Sequence, residues 1–377
     1  MRAESLLLGF SLMLSALFLT VSCAKKNTKS SDSSDNFTVL EIAQTSGSDG
    51  LSGSFEVPEN SISFLLSIFL DNNNSVAFKS LTDPDGIDIL SYSSSPNLYL
   101  DASGSSGSGV TKYGYANVLI PQSPSFSAKT GKWTFIAYNN DRVKLSLRTG
   151  VVSTEATITV QPFITGTTWY AENISDALSV MSGIYLKNGI KLNINNTITI
   201  SENEYSTVSP TFTNSTTSAL IKLGSSDTVN IFFIEDYSGI GSGILGNAAG
   251  MPGSMGDVNS WNGVLASLSA HATGNDLDDQ LLGETAAHEI GHHLGLFHTT
   301  EKEGTLFDIL SDTPECSSSS YDNDSNGSLT AEECDLLGGD NLMFWTSWSS
   351  TSRSAGKTQD KLSSFQQYVI KHSPIAK

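Results

Sequence analysis

The 377-residue sequence reads as two fold classes in series: an all-β sandwich of jelly-roll type over residues 37–150, then an α/β unit with a mixed sheet over 151–377. Three observations carry this. From Phe37 to Gly150, short apolar stretches alternate with turn signals and helical spacing is absent. After Val151, apolar residues recur at helical spacing between further strand-like runs. Charged residues make up only 16% while Ser, Thr, Asn and Gly are plentiful, which favours strands and polar loops over helical bundles. The length allows a core in each half. A formal net charge of −19 excludes a surface built for nucleic acid, whose phosphates it would repel.

Ahead of both halves, Arg2 precedes an apolar run from Leu6 to Val21, then Ser22-Cys23-Ala24 and the polar "KKNTKSSDSSDN". The charged start, the small residue at the break and the polar stretch after it read as an export signal rather than a retained span. A cysteine directly after such a run resembles the lipobox of bacterial lipoproteins, although Thr20 stands where Leu is usual and Leu19 lies one place further out. The resemblance implies a signal peptide over 1–22, a lipidated Cys23 and a flexible tether over 23–36. It implies an exported lipoprotein of the bacterial cell envelope, held by its lipid at the outer membrane, the surface or the periplasmic face. The alternative is an ordinary secreted chain.

In the first half, Phe55 and Val57 alternate with polar residues, and Ile62 to Leu70 is a buried strand followed by the turn "DNNN". "DPDG" (Asp83 to Gly86) marks another turn and Ser103 to Gly109 a loop. Strands follow at Val118–Ile120, Trp133–Tyr138 and Val143–Leu147. In the second half, Thr157–Val160 is strand-like. Ile174, Leu178, Met181 and Tyr185 then share a helical face, with Gly189 as the stop. Leu192 and Ile194 alternate, Val229–Tyr237 is a strand buried on both faces, and Asn262–Ala270 is another. A second helix begins near Leu281. This β-α-β-β-β-α order suits a mixed sheet.

That second helix carries "HEIGHHLGLFH", four of the six histidines within eleven residues. Residues four apart share a helix face, so His288 and His292 can present two imidazoles to one ion, with Glu289 close enough to reach water there. Ala287, Ile290, Gly291 and Leu294 lie on another stripe and pack the helix on the sheet. Gly295 is placed for a sharp exit with positive φ, which brings His298 round as a third nitrogen. Three protein ligands leave a fourth position for water, the pattern of a catalytic zinc. His293 points about 100° away from His292 and is left for packing. His271 and His372 have no metal spacing.

The pattern H-E-x-x-H-x-x-G-x-x-H formed by His288, Glu289, His292, Gly295 and His298 resembles the signature of metzincin metallopeptidases. "DNLMFW" places Met343 where that family has its Met-turn. "GLFHTTE", "SDTPEC" and "NLMFW" in this order resemble pappalysin-like enzymes, from about Thr157 onward and specifically from His288. The resemblance implies zinc endopeptidase activity with Glu289 as general base. It also implies a protein or peptide substrate lying as an extended strand along a sheet edge, for which Asn262–Ala270 is the candidate. Trp345 stands where pappalysins usually carry an auxiliary Tyr, so only an indole N–H is available for that role. A non-enzymatic binding or adhesin lipoprotein retaining the fold is the alternative, and Glu289 argues against it. The sandwich could also be a removable inhibitory segment.

Two features remain. Cys316 and Cys334, an even pair in an exported chain, read as a disulfide. Between them "DNDSNGSLTAEE" fits the twelve-residue calcium-loop pattern, with oxygens from Asp322, Asp324, Asn326, Ser328 and Glu333 and a bend at Gly327. A structural calcium is the expectation, without the helix pair of a sensor module.

Overall fold

The nine strands up to residue 149 form two antiparallel sheets in a computed structural model that describes residues 36–70, 75–90, 112–166, 174–241, 243–274 and 276–377. The strands are β1 (Asn36–Glu41), β2 (Thr45–Gly47), β3 (Gly50–Val57), β4 (Ser61–Phe69), β5 (Ser75–Thr82), β6 (Lys112–Tyr113), β7 (Tyr115–Ile120), β8 (Gly131–Tyr138) and β9 (Arg142–Thr149). One sheet has the order β1-β9-β4-β7 and the other β2-β3-β8-β5-β6, so the chain crosses repeatedly between them, consistent with a sandwich. The alternation seen in the sequence explains the packing. On β8, Trp133, Phe135 and Ala137 are buried while Lys132 and Thr134 are exposed. Phe64 meets Phe55 and Trp133 edge-on at 5.3 and 5.0 Å between the two sheets, contacts worth about 1 kcal/mol each beyond their area. The expected export signal, Cys23, most of the expected tether, the "DNNN" turn and the Ser103–Gly109 loop lie outside the described residues. Among the described residues no helix is long and apolar enough to cross a membrane.

β4 is buried on both faces because its sheet separates two cores. Phe64, Leu66 and Ile68 face the sandwich interior, whereas Leu65 joins Leu119 of β7 in the core of the second half. Polar groups on that outer face also have partners. Asn117 Nδ2 and Ser146 Oγ donate to the carbonyls of Pro252 and Met255 at 3.0 and 2.8 Å. Tyr115 stacks on Trp261 at 5.3 Å, and Lys144 pairs with Asp257 at 2.5 Å. The buried Arg148 donates to the Lys371 carbonyl at 2.6 Å.

From Ala156 the chain forms a mixed sheet. β10 (Ala156–Thr165) leads to α1 (Ile174–Lys187), which returns to β11 (Ile190–Ile194) parallel to β10. β12 (Ile198–Ile200) also pairs with β10, and β13 (Thr207–Val208) precedes α2 (Ser215–Ile221). β14 (Val229–Ile234) follows, then β15 (Asp236–Tyr237) paired to β13, β16 (Gly246–Ala248) and β17 (Val264–Ser267). The order is β11-β10-β14-β17-β16, all parallel except β16. This corrects one expectation. The Asn262–Ala270 strand exists as β17, but β14 and β16 occupy both its hydrogen-bonding edges, so it has none left for a substrate; the outer strand is β16.

A ribbon of β18 (Ala272–Thr273) and β19 (Asp276–Leu277) leads into α3 (Asp279–His293). Asp278 caps α3 by accepting from Leu281 N at 3.0 Å. Ala287, Ile290 and Leu294 face the core, and Tyr185 of α1 donates to the Ala287 carbonyl at 2.8 Å. After α3 come α4 (Ser318–Tyr321), α5 (Ser350–Ser354) and α6 (Ser364–His372). Cys316 and Cys334 form a disulfide with Cα atoms 5.9 Å apart, packed with Leu329, Phe344 and Trp348.

Candidate active site

α3 brings His288 and His292 to one side, one helical turn apart. Gly295, at φ 107°, then turns the chain sharply, a conformation few residues with a Cβ adopt. His298 comes back toward the pair. Nε2 of His298 lies 3.2 Å from Nε2 of His288 and 3.1 Å from Nε2 of His292.

The other ring nitrogens fix what these contacts mean. His288 Nδ1 lies 2.7 Å from the Leu342 carbonyl and His292 Nδ1 lies 2.9 Å from the Leu296 carbonyl. A carbonyl only accepts, so each Nδ1 carries the proton and each Nε2 presents a lone pair. His298 Nδ1 lies 3.0 Å from Glu301 Oε2, which orients the third ring in the same sense. Burial pushes His288 down to about 3 and His292 well below its usual value, so both rings are held neutral. Lone pairs repel at this distance unless a cation lies between them. Bonds of 2.0–2.1 Å in tetrahedral geometry place ligand nitrogens about 3.3 Å apart, so the triad fits zinc.

Glu289 is 7% exposed, and burial alone pushes its carboxyl up to about 8. β16 crosses directly over it. A Cβ on Gly246 would lie 2.6 Å from Glu289 Cγ, so the close crossing requires a residue without a side chain. Leu342 and Met343 lie beneath the helix: Leu342 holds His288, and the fully buried Met343 accepts from Thr299 N at 3.0 Å through its carbonyl. The site opens into a cleft of about 440 Å³ lined by β16, Met251, α3 and the segment from Leu342 to Ser347.

The remaining expectations divide. His293 points away from the triad, is fully buried, and has no hydrogen-bond partner among the described residues, in keeping with a packing role. Trp345 lines the cleft, but its indole N–H donates to the Leu329 carbonyl at 2.8 Å. The auxiliary role considered for that N–H is therefore not open to it. Asp322, Asp324 and Glu333 bring carboxylate oxygens within 4.8 Å of one another. Asn326 N and Gly327 N donate to Asp322, and Ser328 N donates to the Asn326 side chain.

Sequence reasoning missed Glu301, whose signal was an acid three residues beyond the third histidine. It also missed His271, which bridges the Ser267 carbonyl and the Thr285 hydroxyl and so ties the end of β17 to α3. Burial pushes His271 down to about 4. A lone histidine in sequence gave no hint of this bridge.

The Reprolysin_5 model, described as metallo-peptidase family M12, matches residues 155–365, more than half of the chain. Extracellular metalloprotease 1 of Coccidioides posadasii (strain C735) is 29% identical over 146 residues, 37% of this chain and 49% of its own length. An extracellular metalloprotease of Colletotrichum graminicola is 28% identical over 152 residues, 39% of this chain and 51% of its own length. The chain thus spans about half the length of the curated relatives it matches. The solved structure of myroilysin is 15% identical, with 57% of this chain and 78% of its own covered. Its TM-score of 0.24 is too low to read a shared fold from it.

Proposed function

The chain belongs to metallo-peptidase family M12, and on that premise we propose that it is a metzincin-type zinc endopeptidase in which Glu289 is the general base. The observation that carries this is the convergence of three Nε2 lone pairs beside a buried carboxylate at the floor of a cleft. Zinc held by His288, His292 and His298 would polarise the scissile carbonyl and bring the pKa of the attacking water toward about 7. Positive charge at that position also offsets the burial that raises Glu289 and favours its ionised form. Glu289 takes the water's proton as the oxygen attacks and passes it to the departing amine. Leu342, Leu296 and Glu301 hold the three rings in the required tautomer and orientation.

The substrate lies extended along β16, the strand nearest Glu289, so that backbone pairing supplies affinity and the cleft supplies selectivity. The order of "GLFHTTE", "SDTPEC" and Met343 supports a pappalysin-like subgroup, with Met343 in the Met-turn. The Asp322–Glu333 loop is a structural calcium site. Cys23 tethers the exported chain to a bacterial envelope membrane, for which lipid attached at Cys23 in the purified chain is the measurement.

Glu289→Gln tests the chemistry. Zinc content should match wild type by metal analysis while casein cleavage falls about 10²–10⁴-fold, and a zinc chelator should abolish wild-type cleavage. A zinc-loaded mutant with wild-type activity refutes the mechanism. A zinc-loaded wild type that cleaves no member of a broad peptide library favours the binding-lipoprotein reading.

A further inference from the structure

The sandwich carries an open depression of its own, about 710 Å³ in volume and lined by none of the cleft residues. The β2–β3 hairpin lines it with Ser46 and Gly50, and the turn from β8 to β9 with Asn139, Asn140 and Asp141. Tyr138, at the end of β8, also lines it and is 42% exposed although β8 is the central strand of its sheet. The register explains the exposure. Ala77 of β5 pairs with Tyr138 on one side. On the other, Leu51 pairs with Ala137, which puts Gly50 next to the ring. A Cβ at Gly50 would meet the Ala137 carbonyl at 2.6 Å, so no side chain can stand there to cover the tyrosine. Lys79 lies 5.7 Å from the ring centroid but is paired with Asp49 at 3.4 Å.

The polar groups beside the ring stand on a fixed turn. Asp141 N donates to the Phe69 carbonyl at 2.8 Å, and Asn139 holds the left-handed conformation at φ 47°. Asn140 is only 7% exposed, and its Nδ2 donates to Gln44 Oε1 at 2.7 Å. Its Oδ1 has no hydrogen-bond partner among the described residues, so the lining of the depression contains an unmet acceptor.

An uncovered aromatic ring beside fixed amide, hydroxyl and carboxylate groups suits a ligand with one apolar face and a rim of hydroxyls, which is the chemistry of a sugar ring. A purely apolar ligand would bury these polar groups without partners. An anionic one would meet Asp141 on a chain of net charge −19. We propose that the sandwich binds neutral glycan chains in this depression. Tyr138 is the stacking surface, and Asn140 Oδ1 and the Asp141 carboxylate accept from sugar hydroxyls. This binding needs no part of the zinc site and is independent of the peptidase reading.

The test runs the full chain through native gels containing soluble neutral glucans, mannans, xylans or galactans, with polygalacturonate as the anionic comparison. At least one neutral polymer should retard wild type, and polygalacturonate should not. Calorimetric titration with oligosaccharides of that polymer should then show Tyr138→Ala weakening binding about tenfold or more, while Tyr138→Trp, which keeps a stacking surface, stays within about threefold of wild type. Because Tyr138 is exposed, Tyr138→Ala should keep the wild-type Tm, which separates lost binding from lost folding. A high-mannose glycoprotein, before and after enzymatic removal of its glycans, distinguishes protein-borne chains from free polysaccharide; retention that disappears with the glycans upholds the proposal for the former. Retention by no neutral polymer and no glycoprotein overturns it. So does binding that Tyr138→Ala leaves intact, or retardation by polygalacturonate alone.

Discussion

Arg148→Met should destabilise the whole molecule, because Arg148 joins its two halves from a position that is 1% exposed. Nη1 donates to the Lys371 carbonyl at 2.6 Å and lies 3.4 Å from the Ser373 carbonyl, so a positive charge sits at the C-terminal end of α6. Methionine keeps much of the volume but removes the donors, leaving helix-end carbonyls buried and unmet. A charged hydrogen bond contributes about 1.5–3 kcal/mol, and the longer second contact adds less, giving roughly 3 kcal/mol in total. If both halves unfold together as a unit of roughly 300 residues, the unfolding entropy near 2.1 cal/mol/K per residue turns this into a fall in Tm of about 5 °C. Differential scanning calorimetry reads it directly. Wild type should show one transition and the variant one transition at lower temperature. Two resolved transitions in wild type, or a variant within about 1 °C of it, would refute the joined-halves reasoning.

Two further outcomes are expected. Calcium added to a calcium-depleted, zinc-loaded chain should raise Tm, and Glu333→Gln should abolish the rise; a flat response refutes the calcium assignment of the Asp322–Glu333 loop. The metal-free chain should be most stable at about pH 6.5–7. His271, His288, His292 and His293 all titrate below their ordinary value when folded, through burial. The unfolded chain therefore takes up their protons first, and stability is lost as pH falls below about 6.5. Burial raises Glu289 to about 8 and Asp308 to about 7. Their contribution is complete below the unfolded carboxyl values and is lost as pH rises through 7 and 8, giving a shallower alkaline limb. A thermal scan that rises steadily to pH 9 would refute the carboxyl part.

Much of the candidate site was legible because it depends on local geometry. Helical spacing sets His288 against His292, a glycine follows where the chain must turn, and about 100° of rotation separates His293 from His292. The strands of the first half were legible from alternation, as Trp133 and Phe135 show. What escaped depends on partners distant in sequence. β17 has a strand pattern, but only the pairing of Asn247 with Leu265 shows that its outer edge is taken. β16 is three residues, beginning at Gly246, with no pattern of its own. Trp345 likewise resembled a donor to the metal site until Leu329, sixteen residues away, proved to hold its N–H.

The seam between the sandwich and the mixed sheet bears on how such a chain can evolve. A Cβ added at Gly295 would lie 2.5 Å from Leu119 Cδ2, so the turn that delivers His298 leans on a strand of the other half. Asn117 and Tyr115 grip the Pro252 carbonyl beside Met251, which lines the cleft. Replacing the N-terminal half with an unrelated module would take Leu119 away from the turn before His298, so that backing would have to be rebuilt. Shuffling of the second half alone is thereby disfavoured, and Gly295 should stay glycine even where Leu119 is shortened, because its φ of 107° already disfavours a side chain.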